Sequence, residues 1–186
     1  MKKSPWLLGL LVFIFAGCTA AEPGASKDIW SDITSWDQVD GTWVGTQTES
    51  MPAQDALGLL AVFGIDSFKP AKLDEIEPFI KDINVDIAVE MTMIIDADEQ
   101  TVSNAAKTTV TFSGGNTMML WMMKDLYIPP EKIPPGVSFD DKNYSVTRDS
   151  DAPPVPITEE YFAQFQKNQH GTKLKSTEEV IFTKVN

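Results

Sequence analysis

From residue 84 the chain alternates. Val85, Ile87, Val89, Met91, Met93 and Ile95 are apolar, while Asn84, Asp86, Ala88, Glu90, Thr92 and Ile94 between them are mostly polar or small. A period of two sustained over this length predicts a long strand with one buried face. Asp96-Ala97-Asp98-Glu99 supplies turn residues, and Thr101 to Phe112 resumes in β-branched style, so the two runs predict a hairpin. Gly114-Gly115-Asn116 marks a second turn. The following Thr117 to Lys124 (TMMLWMMK) is apolar on both faces, which predicts a covered strand. Weaker strands are expected at Thr42 to Ser50, Val137 to Phe139, Asn143 to Arg148, Thr172 to Lys175 and Glu178 to Val185.

Three stretches leave the β pattern. Ala53 to Phe63 carries Leu57, Leu60, Ala61 and Phe63 nearer a helical than a strand spacing, with Pro52 where a first turn tolerates it. Leu73 to Lys81 is a second short helix candidate, cut by Pro78. Thr158 to Lys167 has a capping threonine, early acids, and Tyr161, Phe162 and Phe165 at three- and four-residue steps, which predicts a third. Residues 129 to 156 hold seven of the twelve prolines, a content that predicts long loops around short edge strands. Many antiparallel strands need closure or a second sheet to remove their edges. The expected fold class is therefore mainly β: a closed antiparallel up-and-down barrel of about eight to ten strands with a helical flap after the first strand, or else a β-sandwich.

The N-terminus reads as an address. Lys2 and Lys3 precede a short apolar run from Trp6 to Phe15, the pattern of a secretory signal peptide, and at about ten residues it is too short to span a bilayer as a helix. Ala16 and Gly17 directly before Cys18 resemble the bacterial lipobox, with Phe15 where that pattern prefers Leu. The resemblance implies cleavage after residue 17, lipidation of Cys18 with a chain such as palmitate, and anchoring to a bacterial membrane on its periplasmic or cell-surface face. An ordinary signal peptide cleaved elsewhere is the alternative. Thr19 to Ser26 is small and polar, so residues 18–35 read as a lipidated cysteine and tether, and 36–186 as the folded domain.

Charge and composition narrow the chemistry. With 15 basic against 27 acidic side chains the formal charge is −12, and losing Lys2 and Lys3 with the leader makes it −14. Such an excess of carboxylates repels a polyanion, so nucleic acid is not an expected partner. One His and one Cys, Cys18 and His170, offer no disulfide framework and no zinc-finger set. His170 lies on a polar turn, Asp96, Asp98 and Glu99 lack the spacing of a calcium loop, and Asp140-Asp141 is weaker still, so no metal site, cofactor or catalytic constellation is expected.

The stretch from Trp36 to Gly45 contains Gly41-Thr42-Trp43, which resembles the Gly-x-Trp opening of the calycins, the superfamily of lipocalins and fatty-acid-binding proteins. The order of elements, one strand, two helical candidates, then long strands, is similar to the fatty-acid-binding branch. The resemblance implies a barrel whose closed end is sealed by Trp43. It implies a cavity lined by Val89, Met91, Met93, Met118, Leu120 and Met122, with Leu60 and Phe63 above, although the same residues suit a filled core. The closing strand of that branch carries an Arg and a Tyr that clamp a carboxylate; the matching positions here are Val180 and Phe182. Arg148, the one arginine, is then the candidate carboxylate contact, an exposed position being its bland alternative. The functional expectation is a membrane-tethered carrier of a small hydrophobic or amphipathic ligand, such as a fatty acid or lipid-like molecule. The alternative is a surface interaction module, an adhesin or inhibitor, recognising partners through the Pro-rich loops.

Overall fold

The computed structural model describes residues 28–60, 78, 80–127, 131 and 133–185. Nine strands form one antiparallel sheet: β1 Trp30–Asp32, β2 Gly41–Pro52, β3 Asn84–Asp96, β4 Thr101–Ser113, β5 Val137–Asp140, β6 Ser145–Pro156, β7 Phe165–Asn168, β8 Lys173–Ser176 and β9 Ile181–Val185. Their order across the sheet is β1-β7-β8-β9-β2-β3-β4-β6-β5. The alternative with two sheets is thereby replaced by one. Edge-to-edge closure is not seen among the described residues, where β1 pairs with β7 and β5 with β6. Helices α1 Ala53–Leu60, α2 Thr117–Tyr127 and α3 Glu159–Phe162 accompany the sheet.

The sheet is nevertheless rolled, and chain connectivity requires it. β6 and β7 are consecutive in the chain but six strand spacings apart in the sheet. At about 4.8 Å per spacing a flat sheet would separate them by roughly 29 Å. The connector between Pro156 and Phe165 includes the four residues of α3. With helical rise over that part, its reach is roughly 23 Å. Tyr161 in this connector donates a hydrogen bond to Met93 Sδ on β3 at 3.1 Å, and its ring lies 5.4 Å from that of Phe165 on β7. One side chain thus touches strands that are four positions apart in the sheet.

The long hairpin of β3 and β4 forms as its alternation predicts. Their register pairs Val85 with Phe112, Ile87 with Val110 and Ile95 with Val102 on the inner face. The four-residue turn is held by Asp96, whose Oδ1 accepts from the Glu99 amide at 2.9 Å. The inner positions of β4 read Val102, Asn104, Ala106, Thr108, Val110 and Phe112, apolar at both ends and polar or small between. Two separate cores follow. The first gathers Ala53, Ala56, Ile80, Ile83, Val85, Ile87, Val110, Phe112, Trp121 and Val146. The second gathers Val39, Trp43, Met93, Ile95, Val102, Ile157, Leu174 and Phe182.

Four expectations change. The covered strand at 117–124 is helix α2, because Met and Leu are good helix formers and a helical turn brings Thr117 and Trp121 to one face. Trp121 is 7% exposed, its ring lies about 6 Å from those of Phe112, Phe139 and Tyr144, and its Nε1 donates to Asp141 Oδ1 at 2.7 Å. The third helix stops at Phe162 and the chain becomes strand by Phe165, whose ring packs edge-on against Phe182. Pro153, Pro154 and Pro156 lie within β6 rather than in a loop. They are tolerated because β5 pairs with β6 only from Ser145 to Arg148, leaving the far side of the later residues free of a ladder among the described residues. Trp30–Asp32, inside the stretch assigned to a tether, is a strand paired with β7, and Lys173 Nζ contacts Asp28 Oδ2 at 3.0 Å.

α1 agrees with the first expected helix as far as Leu60; Ala61 and Phe63 lie outside the described residues, as do residues 1–27 with Cys18. Of the second, Pro78 and Ile80 are helical and Ile80 is buried in the first core.

Trp121→Ala is expected to lower the unfolding free energy by about 3–5 kcal/mol in urea denaturation, whereas Met122→Gln on the outer face of α2 changes it by about 0.5 kcal/mol or less.

Candidate functional site

Between the two cores the inner face of the sheet carries a band of different composition. Across β2, β3, β4 and β6 the register aligns Gln47, Val89, Thr108 and Arg148 in one row. The next row toward the first core is Glu49, Ile87, Val110 and Val146, and the next toward the second is Gly45, Met91, Ala106 and Ser150. Gln47, Glu49, Val89, Met91, Thr108 and Arg148 are all half-buried, in contrast to the closely buried residues at either end. Strand alternation fixes this arrangement, since every one of these residues occupies an inward position of its strand.

Glu49 is the unusual member. Its Oε2 is buried and has no hydrogen-bond partner among the described residues. A buried acceptor left unpaired costs about 1–3 kcal/mol, more when charged, so a native fold retains one only where something else offsets it. Sequence inspection did not single this residue out, because one carboxylate among 27 is indistinguishable until the strand register is known. Its place at an inward position of β2 is the signal that separates it from the others.

The expected lining residues do not stay together. Val89 and Met91 lie in the band, Val89 packing against the first core and Met91 against the second. Met93 is on the same face but fully buried in the second core, where it fills space. Met118 and Met122 were expected beside them and are instead 64% and 72% exposed, because α2 turns Trp121 toward the sheet and these two away from it. Leu120 is half-buried against the first core. Leu60 ends α1, with its side chain outside the described set, and Phe63 lies wholly outside it. Arg148 is in the band rather than on the outer surface, opposite Thr108 on β4 and Val137 on β5.

The Gly-x-Trp residues sit at the second core. Trp43 has no exposed surface; its Nε1 donates to the Val39 carbonyl at 2.7 Å and Lys184 Nζ stands 5.5 Å from the ring. Gly45, one inward position on, is required by close approach: a Cβ there would lie 2.8 Å from Phe182 Cδ1. Tyr161 completes this end. Burial pushes its phenol pKa above the usual 10.0, a shift that hydrogen bonding with Asn104 partly opposes.

Asp140 and Asp141 hold local structure. Asp141 is held below the ordinary carboxyl range chiefly by its hydrogen bond from Trp121, then by Lys124, and Asp140 chiefly by Asn143. His170 is exposed on the turn after β7, and no group of three or more His, Cys, Asp or Glu among the described residues is arranged to hold a metal ion. No family model, curated protein or solved structure matches the chain.

A phenol with a raised folded pKa keeps its proton more tightly in the native state. Its contribution to stability is therefore complete below pH 10.0 and is lost as pH rises through the higher folded value. The thermal midpoint is expected to fall as pH rises above about 10, and that of Tyr161→Phe to fall less steeply.

Proposed function

We propose that the protein binds a small amphipathic molecule on the inner face of its rolled sheet, in the manner of a calycin-like carrier or scavenger, without chemistry on its ligand. The observation that carries this reading is the half-buried band between two complete cores. A sheet that had only to be stable would continue apolar residues across its middle, whereas here Val89 and Met91 offer apolar contact beside Gln47, Glu49, Thr108 and Arg148. An apolar floor with a few convergent polar groups suits a ligand with a hydrocarbon part and a polar head, and methionine adapts to ligands of variable shape. Rolling further, toward a closed barrel, would enclose such a ligand more fully. Arg148, on the same inner face, is the guanidinium that a carboxylate head would contact.

The cell envelope is the proposed location, with lipidation at Cys18 as the tether. Among the described residues no helix is long and apolar enough to cross a membrane. A lipid on Cys18 would hold the domain where apolar ligands partition, and the acidic chain would remain in water. Labelled palmitate is expected to enter the wild-type protein in bacteria and not the Cys18→Ser variant; equal labelling of both would remove the anchor from this reading.

Native mass spectrometry of the purified protein is expected to show a copurified or added lipid-like amphiphile. Met91→Ala should weaken that binding about tenfold. An empty protein that also fails to displace a fluorescent lipid probe would refute the carrier function.

One observation favours a second reading as an interaction module. α2 presents Met118, Met119 and Met122 together to solvent, 45% or more exposed. Adjacent exposed apolar side chains of this kind mark contact surfaces. Changing all three to Ser leaves amphiphile binding intact if the inner face is the functional surface.

A further inference from the structure

Glu49 bears on what the ligand's polar head must be, and the argument rests on the amphiphile-binding reading above. β2 is paired on both sides only as far as Gly45, because β9 pairs with it from Thr42 to Gly45. Beyond that point Gln47 and Glu49 face inward from a strand whose ladder is with β3 alone among the described residues. Across that ladder the inward neighbours of Glu49 are Ile87 and, one strand further, Val110, neither of which has a side-chain donor. Diagonally it meets Val89 and Val85, again without a donor. Among the described residues Glu49 Oε2 accepts no hydrogen bond, although Gln47, one inward position away, carries a side-chain donor. A carboxylate oxygen accepts, so what completes it is a molecule that donates.

We infer that Glu49 is the head-group acceptor of the ligand site, and that the ligand is an aliphatic molecule ending in an N–H or O–H donor, an amine or an alcohol, rather than a bare carboxylate. The apolar neighbours on β3 and β4 would take the chain adjoining that head, and Gln47, one inward position away, offers both a donor and an acceptor to a second polar atom. A carboxylate head brings acceptors alone and would leave Oε2 without a donor, which disfavours fatty acids at this end of the band.

The test is calorimetric titration of the full chain with decylamine, decanol and decanoate, each below its micelle concentration. The wild type is expected to bind the amine and the alcohol about tenfold or more tighter than decanoate. Glu49→Leu, which removes the acceptor, should bring the three affinities within about twofold of one another. Glu49→Gln keeps an acceptor without the charge, so it should retain decanol and lose decylamine affinity. Tryptophan fluorescence checks that each variant is folded, and an apo Glu49→Leu protein that melts above the wild type independently supports an unpaired buried oxygen in the native state. Binding of all three ligands to the wild type with equal affinity, or a preference that survives Glu49→Leu, overturns the assignment while leaving amphiphile binding in place. Failure of all three to bind refutes the amphiphile reading itself, and the assignment with it.

Discussion

The short passage from β6 to β7 is the constraint on which the structure depends. A connector that includes a helical turn must join strands six spacings apart, and only a rolled sheet lets it do so. Tyr161 fixes the roll by bonding to Met93 and stacking near Phe165, so that β3 and β7 close around the second core. Burial of the phenol is the cost of that tie, and its raised pKa is the sign of it. Rolling also gives the sheet an inside, and with it the possibility of a sheltered face.

What fills that inside is uneven for a reason that lies in the strands. β4 places Val102 at one end and Val110 and Phe112 at the other, with Asn104, Ala106 and Thr108 between them. β2 and β6 repeat the theme with Gln47 and Glu49, and with Arg148 and Ser150. Three strands carrying polar or small residues at the same level produce a band, where a single such residue would produce only a local defect. Each core is then secured by its own tryptophan with a satisfied indole N–H, Trp121 through Asp141 and Trp43 through the Val39 carbonyl. Stability is concentrated at the two ends, which frees the middle from having to supply it. That division of labour allows Glu49 to keep an unpaired oxygen without unfolding the sheet.

Much of the sheet was legible in the chain. The alternation of residues 84 to 95, the acidic turn and the β-branched return specify a hairpin, because a period of two commits one face to burial. β2, β8 and β9 were likewise visible from β-branched content and flanking turns. The stretch 117–124 is apolar without a period, which fits a covered strand and a helix equally; Trp121 decides between them only when Phe112, Phe139 and Tyr144 are there to receive it. The prolines of β6 signal loop because a proline excludes a central strand, but which strand is central depends on how far β5 extends. β1 and β7 are too short to show a period of their own and exist through pairing.

For the candidate site the same division holds. The sequence by itself determined that this is a mainly β chain with a strongly acidic balance, which residues share a strand face, and that Val89 and Met91 point to the same side as Met93. Local periodicity suffices for those statements, since each rests on neighbours within one strand. Only the tertiary structure decided that Met118 and Met122 face solvent, that Arg148 lies on the inner face, and that Glu49 Oε2 is buried with no hydrogen-bond partner among the described residues. Those facts depend on register between strands distant in the chain, and register is set by the packing of the whole sheet rather than by any segment of it.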